Sequence, residues 1–132
     1  MYLLDSCTIS DFMRGDSATL NKIKILSPTL IYTSTITQME ITYGLLRRFE
    51  KTHSYFTVFK EFLSNITILP FDQKAAVECS MMRKVLESKG TPIGAYDILI
   101  ASIAKAEDLI LVTSNINEFT RIDNLKIENW RI

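Results

Sequence analysis

The sequence has few residues that interrupt regular structure and no long hydrophobic run. Four glycines and three prolines among 132 residues predict short connections between helices and strands. No segment approaches the roughly 20 consecutive apolar residues that a membrane-spanning helix needs. The first five residues lack a basic stretch followed by an apolar run, which argues against a signal peptide. We therefore expect a soluble cytoplasmic protein.

The sequence also has only two cysteines and one histidine, and its net charge is zero. The two cysteines, Cys7 and Cys79, cannot form a disulfide framework, and no histidine stands near them at a zinc-ligand spacing. The single histidine, His53, lies in a polar stretch and is interpreted as a surface residue. Fifteen basic side chains balance fifteen acidic ones, which argues against a protein that coats nucleic acid by bulk electrostatics. A net charge of zero does not exclude a protein that holds phosphate through metal ions.

Short apolar segments alternate with helical patterns along the chain, which is the length of one domain, residues 1–132. The patterns predict strands at 2–4, 30–32, 66–69, 109–112 and near 126–128. They predict helices at 6–13, 16–26, from about 35 to 49, 55–63, 72–88 and 94–106, with a short helical turn before the last strand. This alternation predicts an α/β fold with a central parallel sheet of four to five strands flanked by helices.

Acidic side chains stand close to the ends of these predicted strands. Asp5 follows the first strand, and Glu40 and Asp97 lie near the starts of two helices. Asn115 and Glu118 follow the fourth strand. Sheets of this kind carry their sites at the carboxyl ends of the strands, so these residues are the candidates for a site.

Each candidate also has a purely structural explanation. Asp5 could be an N-cap, because Asp is among the best capping residues. Glu40 could close a capping box with Thr37, and the segment 115–118 has the same spacing. Asp97 could complement the dipole of the helix in which it lies. The residues Ser6, Thr8 and Thr113 carry hydroxyls that could orient the acids or cap helices.

Considered together, the acidic residues favour a metal site. Asp97 lies in the apolar segment 95–101, where a lone carboxylate costs free energy unless something compensates its charge. Carboxylates that share a cleft repel one another, and each resists ionisation. A divalent cation removes that repulsion, and Mg²⁺ or Mn²⁺ suits a set of oxygen ligands.

Four segments resemble, in order, the motifs of the VapC-type PIN-domain toxins. These segments are Leu-Leu-Asp-Ser at 3–6, Thr-Ile-Thr-Gln-Met-Glu at 35–40, Pro-Ile-Gly-Ala-Tyr-Asp-Ile-Leu-Ile-Ala at 92–101, and Leu-Val-Thr-Ser-Asn at 111–115 followed by Glu-Phe at 118–119. The resemblance covers essentially the whole chain. It implies a PIN-domain-like parallel sheet and an Mg²⁺- or Mn²⁺-dependent endoribonuclease that is the toxin of a type II toxin–antitoxin pair.

The resemblance also implies partners and roles for individual residues. A VapB-like antitoxin would inhibit the protein and would supply its only connection to operator DNA. A homodimer, and a higher assembly with the antitoxin, are expected. Asp5, Glu40 and Asp97 correspond to the acidic core that binds metal, and Asn115 and Glu118 would complete the catalytic set.

Two positions depart from the family pattern. Cys7 stands where the family usually has Asn, and Asn115 stands where it often has Asp. The second departure leaves open whether one or two metal ions bind, and whether Asn115 or Glu118 fills the fourth acidic position.

Two other functions remain to be weighed. An aspartyl-phosphate phosphatase also begins with a strand that ends in Asp, but it requires a second Asp where Cys7 stands and a phosphate-binding lysine that is not evident. A PIN-like protein that has lost catalysis and acts as a corepressor with its antitoxin is compatible with Cys7 and Asn115. Cleavage of RNA in the presence of Mn²⁺ separates an enzyme from such a corepressor.

Basic and apolar surfaces complete the sequence-based interpretation. Arg14, Arg47, Arg48 and Arg83 could guide RNA phosphates, with Arg47 and Arg48, two turns beyond Glu40, as the stronger candidates. The alternative is that they belong to solvated helix faces, which is the preferred interpretation of Arg83. Helices 35–49 and 55–63 carry apolar side chains over more of their circumference than one sheet face covers, which predicts a partner surface.

Overall fold

Five strands and seven helices alternate along residues 1–48 and 53–131, the part of the chain that the computed structural model describes. The strands are β1 (Tyr2–Leu4), β2 (Ile31–Ser34), β3 (Thr67–Leu69), β4 (Ile110–Val112) and β5 (Ile127–Glu128). The helices are α1 (Ser6–Met13), α2 (Ser17–Ile25), α3 (Thr35–Leu46), α4 (His53–Ser64), α5 (Gln73–Ser88), α6 (Ala95–Ala106) and α7 (Ile116–Phe119), and a 3-10 turn at Pro28–Leu30 precedes β2. Within these described ranges, no helix is long and apolar enough to cross a membrane.

The strands form one sheet in the order β3-β2-β1-β4-β5, and every neighbouring pair is parallel. The chain builds the sheet outward from β1 through β2 to β3 and then returns to place β4 on the other side of β1. The order therefore reverses between β1 and β4. In open α/β sheets the ligand site lies beyond the carboxyl ends of the strands at such a reversal. The predicted α/β class and the parallel sheet are confirmed.

The central strands are apolar because helices cover both faces of the sheet. Leu3, Leu4, Leu111 and Val112 are all completely buried. Successive residues of a strand point to opposite faces. Leu3 and Leu111 accordingly pack with side chains of α5 and α6, whereas Leu4 and Val112 pack with side chains of α1, α3 and α4.

Most predicted boundaries lie within two residues of those in the structure, since capping residues mark the helix starts. The predicted end of the third helix near residue 49 lies outside the described residues. The capping-box interpretation of Glu40 is wrong: α3 begins at Thr35, and its N-cap is Ser34, whose hydroxyl accepts the Thr37 N–H at 3.0 Å. Glu40 therefore lies in the second turn of α3, too far along the helix to reach the cap.

The end of the described chain is tied to the start by a buried carboxylate. Asp11 in α1 is 5% exposed and accepts two hydrogen bonds from the Arg131 guanidinium, at 2.9 and 3.0 Å. It also accepts one from Arg14 at 2.7 Å. The preceding Trp130 is buried and packs edge-on against Tyr2, with ring centroids 5.4 Å apart. These contacts hold α1 against β1 and the residues that follow β5.

Phe119 anchors the short helix α7, and we predict that it is indispensable to stability. It is 0% exposed and belongs to the core cluster between the sheet, α5 and α6. Phe119→Ala is expected to lower the free energy of unfolding by about 3–5 kcal/mol, measured by urea denaturation, because it leaves a cavity in that core. Val77→Ala is the control: Val77 is 60% exposed, and a change of under about 0.5 kcal/mol is expected. Equal effects of the two substitutions would contradict the prediction.

Candidate metal centre

Four elements bring the candidate residues to the carboxyl edge of the sheet. Asp5 directly follows β1, and Glu40 lies in α3, which begins where β2 ends. Asn115 and Glu118 follow β4, and Asp97 lies in the first turn of α6. Burial raises the pKa of Asp97, and the charges of Glu118, Glu40 and Asp5 raise it further, so these four carboxylates lie close enough to interact electrostatically.

Asp5 is the most rigidly held of the acids. Its side chain is 3% exposed, and one of its oxygens accepts the backbone N–H of Thr8 at 2.9 Å, so that Asp5 caps α1 as predicted. Burial raises the pKa of Asp5, and hydrogen bonds from the Thr113 hydroxyl and from Thr8 act against that rise. The Thr8 hydroxyl in turn donates to the Val112 carbonyl at 3.0 Å, which joins α1 to β4. Asp5 therefore caps a helix and belongs to the acidic cluster at the same time.

One carboxylate oxygen of Glu40 has no hydrogen-bond partner among the described residues. Among the described residues, its Oε1 is the one buried side-chain oxygen or nitrogen that has no hydrogen-bond partner. Burial raises the pKa of Glu40, a hydrogen bond with Ser6 lowers it, and the charge of Asp5 raises it further. A buried carboxylate oxygen without a partner is unfavourable, so this atom calls for a donor or a cation that the described residues do not supply.

Asp97 lies in the first turn of α6 and has a strongly shifted pKa. Its pKa is raised from an ordinary 3.8 to about 6, first by burial and then by the charges of Glu118, Glu40 and Asp5. The only opposing contribution among the main causes is a hydrogen bond from the Asn115 side chain, whose Nδ2 lies 3.5 Å from Asp97 Oδ2. Ionisation of Asp97 beside these acids is therefore unfavourable.

Glu118 and Asn115 form a hydrogen-bonded pair at the rim. The Glu118 carboxylate accepts the backbone N–H of Gly94 and, at 2.8 Å, the Asn115 amide, and these two bonds lower the pKa of Glu118. Asn115 occupies the N-cap position of α7, but its side chain makes no capping bond, so the capping interpretation is wrong for this residue. A β-carbon at Gly94 would lie 3.4 Å from both Asp97 Oδ2 and Glu118 Oε1, so glycine leaves room for the two carboxylates.

The sequence did not reveal two contacts that hold the loop before α6. One is the bond from the Gly94 N–H to Glu118, and the other is the bond from Arg121 to the Pro92 carbonyl at 2.9 Å. The segment Pro-Ile-Gly at 92–94 indicated the start of a helix. It did not indicate that this segment would bond to Glu118 in α7 and to Arg121. These contacts fix the start of α6 and hence the position of Asp97.

A hydrated hard cation fits this set of donors better than a dehydrated one does. The donors are carboxylate oxygens, one of which has no partner. As the side chains stand in residues 1–48 and 53–131, no three acidic, histidine or cysteine groups are arranged to hold an ion directly. Mg²⁺ retains several waters and commonly uses only one or two carboxylates, so it does not require such an arrangement. Asp5, Glu40 and Asp97 as the ligands remain a prediction.

Comparison with known proteins identifies relatives along the full length of the chain. Residues 2–125 match the family model of the PIN domain. The tRNA(fMet)-specific endonuclease VapC of Salmonella typhimurium is 32% identical over 129 residues, which cover 98% of this chain and 97% of that protein. The ribonuclease VapC2 of Rickettsia felis is 37% identical over 132 residues and 98% of each chain.

Solved structures agree with these sequence matches. VapBC2 from Rickettsia felis, bound to a DNA fragment from its promoter, contains a chain that matches with a TM-score of 0.90 and 35% identity over 98% of both chains. DNA-bound VapBC from Salmonella typhimurium matches with a TM-score of 0.90 and 31% identity over 98% of this chain and 97% of that one. The chain therefore belongs to the PIN-domain family, in its VapC group.

Proposed function

We propose that this protein is the endoribonuclease toxin of a VapBC-type toxin–antitoxin pair, and that it hydrolyses RNA phosphodiester bonds with Mg²⁺ or Mn²⁺. The observation that carries the proposal is the carboxylate cluster, in which the pKa of Asp97 rises to about 6 and Glu40 Oε1 has no partner within residues 1–48 and 53–131. Relatives that align with 98% of the chain are named ribonuclease or endonuclease VapC.

The site residues divide into those that would hold a cation and those that orient them. Asp5, Glu40 and Asp97 would hold it, and such an ion polarises a phosphoryl oxygen and lowers the pKa of the attacking water. Asp5 is oriented by Thr8 and by Thr113. Glu40, whose Oε1 has no hydrogen-bond partner among the described residues, would either bind the ion or orient the attacking water.

Asn115 and Glu118 act on Asp97 rather than on the cation in this arrangement. The Asn115 amide lies between the two carboxylates, 2.8 Å from Glu118 and 3.5 Å from Asp97, so it screens one from the other. Glu118 is itself held by the Gly94 N–H. We infer that Glu118 supplies the fourth charge of the cluster while Asn115 keeps it at a fixed position.

The protein partner is a VapB-like antitoxin, through which any contact with operator DNA is made. Similar solved structures are VapBC complexes, two of them bound to DNA. Apolar side chains on α3 and α4 remain exposed, as the sequence predicted; they are Met39, Tyr43, Leu46 and Val58. Such surfaces usually mark interaction sites. The homodimer is a further expectation of the proposal.

A corepressor without catalytic activity is the alternative, and the site does not favour it. The departures at Cys7 and Asn115 leave Asp5, Glu40 and Asp97 within one cluster. The presence of all three acids in one cluster is what metal-dependent hydrolysis requires, whereas binding of an antitoxin alone does not require it.

Asp97→Asn is predicted to abolish RNA cleavage without lowering the melting temperature at pH 7.5 in the presence of a chelator. The folded pKa of about 6 exceeds the ordinary 3.8, so the metal-free protein loses stability as the pH rises from about 4 to about 6 and stays less stable above that range. The neutral amide removes this loss. The melting temperature of the variant should therefore equal or exceed that of the wild type at pH 7.5, and the advantage should shrink at pH 4.5.

Asp123→Asn is the matched control, since Asp123 is exposed and pairs with Lys89 far from the cluster. It should leave cleavage unchanged. Full cleavage by the Asp97 variant would refute the assigned site, and unfolding of that variant at pH 7.5 would show that Asp97 is structural.

RNA cleavage is predicted to require Mg²⁺ or Mn²⁺ and to stop when a chelator is added. Ca²⁺ alone should not support it, because Ca²⁺ accepts looser geometry that positions water poorly, and Zn²⁺ alone should not because the donors are oxygens. The measurement is cleavage of total RNA, mapped to the nucleotide, with each ion and with excess chelator. Undiminished cleavage in chelator would rule out the metal mechanism.

A further inference from the structure

A cavity of about 530 Å³ opens beside the carboxylate cluster, and the proposed reaction does not yet account for it. It lies between α1 and α3, with one side chain of α4 closing it. Ser6 and Glu40 line the end at the cluster, and Arg14, Arg47 and Arg48 line other parts of the wall together with Tyr55. Its volume is in the range of pockets that hold small ligands.

The cavity extends along two helices from an acidic end to a basic one. On α1, the lining residues run from Ser6 to Arg14, and on α3 and just beyond it they run from Glu40 to Arg48. Eight residues of α-helix rise about 12 Å, so the arginines lie roughly that far along the helix axes from the carboxylates. A polyanion bound to a cation at the acidic end of the cavity would therefore contact the arginines at its basic end.

Aromatic rings hold two of these arginines. The Arg48 guanidinium carbon lies 5.8 Å from the centroid of the Tyr55 ring, and that of Arg47 lies 5.0 Å from the centroid of the Tyr43 ring. In the parts of the chain that the structure describes, neither arginine forms an ion pair with a carboxylate. Tyr55 is half-buried and packs on the core cluster that includes α4, so its ring is a fixed surface.

We propose that this cavity binds the nucleotide adjacent to the scissile phosphate in single-stranded RNA, an inference that rests on the proposed ribonuclease function. Arg47 and Arg48 bind the phosphate of that nucleotide, and its base stacks on Tyr55 and the Arg48 plane. Unpaired bases characteristically stack on aromatic rings and arginine planes in this way. Arg14 contributes less, because Asp11 already accepts a hydrogen bond from it at 2.7 Å.

RNA fits the cavity better than a protein segment does, because the two surfaces of α3 differ in chemistry. The α3 residues that line the cavity form a row of Glu40 and Gly44, which Arg47 continues just beyond the helix, and the core residues Ile41 and Leu45 lie beside this row. The exposed apolar residues Met39, Tyr43 and Leu46 are offset from that row and form a separate stripe. The stripe suits a protein partner, whereas the cavity offers serine hydroxyls and cationic groups to a phosphate chain.

The test measures RNA binding as a function of salt concentration. The probe is a fluorescein-labelled, mixed-sequence, single-stranded 12-nucleotide RNA, titrated with full-length protein in Ca²⁺ so that binding is followed without cleavage. Arg47→Ala and Arg48→Ala should each weaken binding roughly tenfold. Each should also reduce the slope of log K against log salt by about 0.7, the value for one phosphate contact to a single strand.

Tyr55→Leu should weaken binding roughly tenfold as well, but without changing the salt slope, because stacking displaces no counterion. Tyr55→Phe keeps the ring and should bind as the wild type does. Arg83→Ala is the matched control for charge: Arg83 is exposed on α5 and pairs with Glu87, and its removal should change neither affinity nor slope. A merely structural defect would not separate variants that change both affinity and salt slope from a variant that changes affinity alone.

The outcomes separate this inference from the proposed function. If the wild type cleaves RNA with Mn²⁺ but the Arg47 and Arg48 variants bind the 12-mer like the Arg83 variant, the cavity assignment is overturned and the nuclease stands. If these variants bind RNA normally but no longer bind the antitoxin, the cavity is the antitoxin's binding site and the assignment is again overturned. If the wild type does not cleave although the variants divide as expected, the cavity binds RNA and the proposed nuclease function fails.

Discussion

Electrostatic repulsion among carboxylates gathered at one edge of the sheet is the constraint on which the rest of this structure depends. Asp5, Glu40, Asp97 and Glu118 meet at the edge where the sheet order reverses, and the protein compensates them unequally. Asp5 and Glu118 are held by backbone and side-chain donors, whereas Asp97 has a single distant amide and Glu40 retains an oxygen with no partner among the described residues. The uncompensated part of the cluster is where a hard cation would have its largest effect.

The scaffold holds this cluster together through contacts that serve no chemistry of their own. The Thr8 hydroxyl ties α1 to β4, and Arg121 ties the loop before α6 to the segment after α7. Asp11 joins α1 to Arg131 near the chain end. Helix capping and formation of the site depend on the same residue, because the Asp5 side chain caps α1 and also belongs to the acidic cluster.

Local patterns predicted the fold well, since each strand and helix carries its own signal in periodicity and capping residues. The buried runs around Leu3 and Leu111 identified parallel strands, and parallel strands bring Asp5 and Asn115 to one edge. Contacts between residues distant in sequence left no such signal. The pairing of Asp11 with Arg131 joins residues 120 positions apart, and the bond from Gly94 to Glu118 spans 24. The capping-box prediction for Glu40 failed for a local reason, because Ser34 rather than Thr37 is the N-cap of α3.

The central claim is that burial and neighbouring carboxylates keep Asp97 partly protonated until a cation binds, and carbon-13 NMR titration of its side-chain carboxyl tests this most directly. In the metal-free protein, the Asp97 carboxyl should titrate with a midpoint near pH 6, about two units above that of an ordinary aspartate. Addition of Mg²⁺ should move the midpoint down, because a cation favours the ionised form. A midpoint near pH 4 in the metal-free protein, unchanged by Mg²⁺, would contradict the account.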